Sequence, residues 1–325
     1  MAGVLNIHKF PLLRSVHGSP KTPRKSFPII RATSETPTSS TSTSVTAPPN
    51  FEPPKPKRFA VRPDKTWDII GASLALIFRL GTGVFVNGYS VSFVSKDAIP
   101  PDQYSLEVSG YKVKETSKLG PRPEKPIEIY EFEGCPFCRK VREIVAVLDL
   151  DVLFYPCPKM VPLFVPRSFR WAENSSSLTW FVDPNTGTAM YESDDIIKYL
   201  VQKYGDGSIP FMLSLGLLTT LTEGFAMIGR MGKGSSYTPS KLPPKPVELW
   251  AYEGSPFCKI VREVLVELEL PHIFRSCARG SPKRQILFEK TGHFQAPYIE
   301  DPNTGVQMFE SAEIVEYLKA TYAKF

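Results

Sequence analysis

The sequence predicts an α/β protein made of two tandem copies of one βαβαββα unit, each preceded by an apolar helical segment. Three observations carry this. Residues 127–204 and 247–322 repeat each other, copy 1 opening IEIYEFEGCPFCRKVREIV and copy 2 VELWAYEGSPFCKIVREVL. The offset holds across the copies: 120 residues separate Cys135 from Ser255, and 118 separate the identical DPNTG turns at Asp183 and Asp301. Within each copy, the apolar pattern passes from short strand-like runs to helical spacing and back in the same order.

The elements follow in turn. A short strand (127–132; 247–252) runs into a Gly-x-Pro turn and then a helix. Phe137, Val141, Ile144, Val145 and Leu148 fall at i, i+4, i+7, i+8 and i+11, as one buried helical face requires; Phe257, Val261, Val264, Leu265 and Leu268 repeat the stripe. A second strand (152–155; 272–275) and a connecting region come next. Two strands around DPNTG and a helix from Glu192 or Glu310 close the unit.

The first 34 residues hold six Lys or Arg and no acid, whereas the whole chain carries a net charge of +6. The basic excess therefore sits in the leader, which excludes an electrostatic case for nucleic acid. Residues 1–32 read as an organellar transit peptide, with Ile29, Ile30, Arg31 and Ala32 resembling a stromal processing site. A plastid destination is expected, stromal or thylakoid-associated, with a mitochondrion as the alternative. Residues 33–65, rich in Ser, Thr and Pro, read as a disordered linker.

The apolar stretches 66–94 and 208–237 look like membrane spans only at first sight. Gly71, Arg79, Gly81 and Gly83 interrupt the first, and Gly216, Glu223, Gly224 and Arg230 the second. Helices packed on the domains are expected, with peripheral membrane attachment left open. Five cysteines make no disulfide framework, which suits a reducing compartment. A single Cys-x-x-Cys with no second pair argues against a zinc site, so no metal is expected.

The element order, the CPFC at the first helix and the Glu-Ser pair opening the last helix (ESDDIIKYL, ESAEIVEYL) resemble the glutathione-transferase N-terminal domain, a glutaredoxin-like thioredoxin fold. The CPFC variant is similar to the glutaredoxin-like domain of membrane-associated prostaglandin E synthase type 2 and to plant plastid proteins with tandem domains of this kind. The resemblance covers about half the chain. The all-helical second domain of a full glutathione transferase is not found after either copy.

Cys135 follows a strand and precedes Pro136, which places it at a helix N-terminus, where main-chain N–H groups and the dipole favour a thiolate. It is the expected nucleophile of thiol–disulfide exchange, with Cys138 resolving; a metal half-site or chance is the competing reading. In copy 2, Ser255 replaces the nucleophile while Pro256, Phe257 and Cys258 remain. The resemblance implies that Ser255 could hold a glutathione thiolate, with a purely structural domain as the alternative. It also implies that Pro136 and Phe137, and Pro256 and Phe257 in copy 2, line a glutathione site, that Glu192 with Ser193 and Glu310 with Ser311 take the γ-glutamyl end, and that Pro297 is a cis-proline whose neighbour Ala296 pairs with the cysteinyl amide. Ordinary helix capping competes for the Glu-Ser pairs. Cys157 and Cys277, each 19 residues after Cys138 or Cys258, read as small buried hydrophobes. Arg139, Lys140 and Arg142 read as a solvated helix face, with attraction of an anionic substrate as the alternative.

Copy 1 loses its likeness to copy 2 over 160–181, where Thr179 stands in place of the proline that Pro297 predicts. Back-translated one base out of register, permissible codons give GGKQQFPYMV, parallel to TGHFQAPYIE of copy 2, and compensating frameshifts are inferred. The expected activity is glutathione-dependent thiol–disulfide exchange. A non-catalytic protein binding glutathione or a protein partner is the alternative, and a glutathione transferase the third.

Overall fold

The computed structural model describes residues 45–57, 60–158 and 179–324. The expected transit peptide (1–32), the expected linker up to residue 44 and most of the anomalous stretch of copy 1 (159–178) lie outside the described residues. The described residues belong to one compact unit, Ser44–Phe325.

Helix α1 (Thr66–Phe78) leads to a three-stranded antiparallel sheet of β1 (Ser90–Val94), β2 (Leu106–Val108) and β3 (Tyr111–Thr116), in the order β1-β3-β2. Copy 1 follows with β4 (Ile127–Glu131), α2 (Pro136–Val147), β5 (Val152–Pro156), β6 (Trp180–Asp183), β7 (Thr188–Met190) and α3 (Ser193–Tyr204). Helix α4 (Leu217–Ile228) precedes copy 2, which comprises β8 (Val247–Ala251), α5 (Pro256–Glu267), β9 (His272–Ser276), α6 (Lys283–Thr291), β10 (Tyr298–Glu300), β11 (Gln307–Phe309) and α7 (Ser311–Tyr322). Copy 2 is thus βαβαββα throughout. The small sheet was not anticipated: β1 and β2 are exposed along most of their length, and the apolar runs are too short to stand out.

In each copy the first two strands pair in parallel and the others antiparallel. The copies then join edge to edge. β5 pairs antiparallel with β9, Leu153 opposite Ile273, giving one eight-stranded sheet in the order β11-β10-β8-β9-β5-β4-β6-β7. The junction removes one exposed edge from each copy. A single apolar cluster runs through both, taking Val141, Ile144, Val145 and Leu148 from α2 and Val261, Val264, Leu265 and Leu268 from α5. Each such side chain contributes about 1.5–3 kcal/mol on burial.

Helices α1 and α4 exchange partners. α1, ahead of copy 1, packs on α5 of copy 2, whereas α4, ahead of copy 2, packs on α2 of copy 1, and the two helices cross each other. The crossing explains two of the interrupting glycines: a Cβ on Gly71 would lie 2.5 Å from the Gly229 carbonyl oxygen, and one on Gly229 2.7 Å from that of Gly71. Arg79 and Arg230 both turn inward and are buried, while Trp67, Ile77, Leu80, Leu217, Ile228 and Met231 face outward. Among the described residues no helix is long and apolar enough to cross a membrane.

Two readings need correction. The expected linker is ordered from residue 45 where it is described: Val45 is buried, and the Phe51 ring lies 5.0 Å from that of Tyr317 on α7. Its prolines, which oppose helix and sheet, are compatible with an extended segment docked on a folded surface. The segment 66–94 is helical only to Phe78 and ends in strand β1, because Gly81 and Gly83 turn the chain at positive φ.

Candidate functional site

The two Gly-x-Pro turns place matched residues at matched helix N-termini. Cys135 caps α2 from an extended backbone, its Sγ accepting the Cys138 main-chain N–H at 3.3 Å, and Pro136 occupies the first turn. Ser255 caps α5 in the same way, its Oγ accepting the Cys258 N–H at 3.2 Å.

The two sulfurs of copy 1 differ in acidity. A hydrogen bond from the Cys138 side chain, opposed by burial and helped by the main-chain N–H groups of Cys138 and Phe137 and by Arg142, holds the Cys135 thiol below its ordinary value. Burial, followed by the bond to Cys135, pushes Cys138 well above it. The Thr179 hydroxyl donates to Cys138 Sγ at 3.0 Å. Thr179, noticed in the sequence only for not being proline, is therefore a direct partner of the second sulfur.

Cys135 is nevertheless closed off. Its relative exposure is 0%, and it clusters with Phe132, Phe137, Cys138 and, from the other copy, Val266. The turn after α4 lies against the two residues before it: the Gly234 carbonyl accepts the Glu133 N–H, and a Cβ on Gly134 would lie 2.1 Å from Ser235 Oγ. A helix N-terminus alone implies an accessible thiolate. The exchanged partner helices instead bring a lid from elsewhere in the chain, and no local pattern announces it.

The basic residues of α2 are not a solvated face, nor do they point to an open substrate groove. Lys140 pairs with Asp194 of α3 at 2.5 Å. Arg139 and Arg142, both buried, reach across to Glu253 of copy 2 at 2.7 and 3.1 Å, and Lys259 and Arg262 of copy 2 reach Glu133 of copy 1 at 2.8 and 2.9 Å. Arg79 pairs with Glu143 and Glu223, and Arg230 with Glu263. The pairs repeat about an approximate two-fold relation, as the interface of a symmetric dimer would. Burial raises the Glu253 carboxyl, but Arg262, Arg142 and Arg139 outweigh it and hold it below its ordinary range.

The remaining candidates divide between the copies. In copy 2, Phe257, Glu310 and Ser311 line one cavity of about 130 Å³, and Ala296 precedes Pro297 through a cis peptide bond. Pro256 is half-buried beside them in sequence. In copy 1, Glu192 is exposed at the N-cap of α3 without a side-chain cap bond, Ser193 is buried, and Pro136 and Phe137 are half-buried. Cys157 and Cys277 are buried, and burial pushes Cys277 up to about 12. Among the described residues no cluster of His, Cys, Asp and Glu could hold a metal ion. The DPNTG turns are structural: Asp183 accepts both Tyr199 and Tyr204 hydroxyls at 2.6 Å, as Asp301 does from Tyr317 and Tyr322.

The topology and the helix-capping Cys or Ser define two thioredoxin-like units, one with a cysteine pair and one with serine before cysteine. Residues 129–208 and 249–324 match the family described as glutathione S-transferase, N-terminal domain. The chain thus carries two such domains in tandem. No curated protein and no solved structure matches it.

Proposed function

We propose that the protein is a glutathione-linked thiol–disulfide oxidoreductase in which copy 1 carries the chemistry, copy 2 is non-catalytic, and access to Cys135 requires the covering turn near Ser235 to open. The observation that carries this reading is the opposed acidity of the two sulfurs at one helix N-terminus, one lowered and one raised. The Cys135 thiolate attacks one sulfur of a substrate disulfide, and the other leaves as a thiolate that takes a proton. The Cys138 thiol then loses its proton and attacks Cys135 Sγ, releasing the second substrate thiol and leaving a Cys135–Cys138 disulfide. Two glutathione molecules return that disulfide to two thiols and leave as oxidised glutathione. Glu192 and Ser193 are the proposed holders of the γ-glutamyl end.

The test is glutathione-dependent reduction of a small disulfide by the chain. Cys135→Ser is expected to abolish it, and Cys138→Ser to retain partial turnover through a mixed disulfide. In pH-resolved alkylation, Cys135 should react at lower pH than an ordinary thiol near pH 8.5. Full activity in Cys135→Ser would refute the assignment.

A second reading, a non-catalytic binding protein, is favoured by the complete burial of Cys135 and by Ser255. It predicts that Cys135 resists alkylation until the protein unfolds. For the leader, we propose plastid import, tested by the location of a fluorescent protein fused after residue 50.

A further inference from the structure

The groove of copy 2 that contains Glu310 and Ser311 has part of the chain itself laid along it. From residue 51 to 57 the sequence is FEPPKPK, and Pro53, Pro54 and Pro56 restrict the backbone and offer no N–H to a helix or sheet. Burial alternates from residue 54 on, Pro54 and Pro56 being half-buried while Lys55 and Lys57 are exposed, so these two prolines meet the surface and the lysines leave it.

Three anchors fix the segment. The Phe51 ring lies tilted at 40° against that of Tyr317. The Lys57 main chain bonds at both ends, its N–H donating to Glu310 Oε1 at 2.6 Å and its carbonyl accepting from Gln295 Nε2 at 3.5 Å. Arg62 reaches Glu316 at 3.0 Å and Glu313 at 3.5 Å on α7. Lys57 and Arg62 share the 130 Å³ cavity with Phe257, Glu310 and Ser311. The backbone of Glu310 lies at φ 74°, whereas its counterpart in copy 1, Glu192, lies at −78° and is exposed.

We propose that the copy 2 groove is a binding site for extended, basic, proline-containing peptide, and that residues 51–57, together with Arg62, are its ligand in the same chain, excluding glutathione while seated. The exclusion rests on the reading of copy 2 as a glutathione-type groove; the peptide site does not. The chemistry fits: a carboxylate and a carboxamide flank a main-chain N–H and C=O, and two further carboxylates await a cation. Three prolines, Pro53, Pro54 and Pro56, lower the entropy lost on docking.

The test uses the full chain and Arg62→Glu, a surface change that sets a like charge against Glu313 and Glu316. In the parent protein, exchange of the Lys57 amide is expected to be slow and tryptic cleavage after Lys57 weak; the variant should show both at least about tenfold faster. A synthetic peptide of residues 51–62 should bind the variant and not the parent. Glutathione should bind the variant about tenfold more tightly, a gain removed by adding Glu310→Ala. Rapid Lys57 exchange in the parent, or no peptide binding to the variant, overturns the proposal. Peptide binding without any gain for glutathione upholds the peptide site and overturns the glutathione reading of copy 2.

Discussion

Glu253 of copy 2 ties the two copies together through buried cations of both. Its Oε1 lies 2.7 Å from Arg139 and its Oε2 3.1 Å from Arg142 and 2.5 Å from Arg262, and all four side chains are at most 2% exposed. Glu253→Gln keeps the shape and removes the charge, so three guanidinium groups lose their shared anion and one faces an N–H donor instead of an acceptor. Breaking a buried pair costs about 3–5 kcal/mol, because the partner charge remains desolvated. Against a total stability of about 5–15 kcal/mol, that is a large share. It corresponds to a fall in melting temperature on the order of 10 °C for a chain of this size. Urea unfolding followed by circular dichroism measures it, with the exposed Glu192→Gln as a control expected to change little. Adding Arg139→Met to Glu253→Gln should recover part of the loss, since one stranded cation is then gone. A loss below about 1 kcal/mol would refute the reasoning, since that is what a solvated surface pair yields.

Three other outcomes are expected. Burial lowers the His272 imidazole to about 4, whereas in the unfolded chain it protonates near 6.5. The folded state therefore favours the neutral ring, and stability falls as pH drops from about 6.5 to about 4, with the full penalty below that range. His272→Val, which introduces the residue copy 1 has at Val152, should flatten that slope; urea midpoints at pH 7.5 and 5 that shift equally in both proteins would contradict it. Gly71→Val drives a side chain into the Gly229 carbonyl and should cost about 1–3 kcal/mol or more, read as a lower urea midpoint. Asp301→Ala strands the Tyr322 hydroxyl proton and leaves Tyr317 only Thr304, and should cost about 1–3 kcal/mol in the same assay without changing Cys135 alkylation in the folded protein.

Much of each copy was legible because its determinants are local. The α2 stripe from Val141 to Leu148 needs only helical spacing to declare a buried face, and Cys135 before Pro136 needs only cap geometry to declare a helix start. The same spacing misled about Arg139 and Arg142: an amphipathic helix ordinarily shows its charges to water, and nothing within the helix reveals that another helix set brings opposite charges to meet them. The Ser, Thr and Pro content of residues 33–65 likewise read as disorder and was silent about docking, which depends on Glu310, Gln295 and Tyr317 more than 200 residues away.

By itself the sequence determined the duplication, the element order of copy 2 and of the described part of copy 1, the apolar stripes and the residues capping the first helices, all set by neighbours within a few turns of chain. Only the tertiary structure decided the rest: the β5 and β9 edges joined into one sheet, the exchange of α1 and α4 between copies, the buried ionic layer, the cover over Cys135 and the strap on copy 2. Each depends on surfaces remote in sequence meeting in space. Their complementarity of shape and charge is a property of the pair, which neither segment expresses alone.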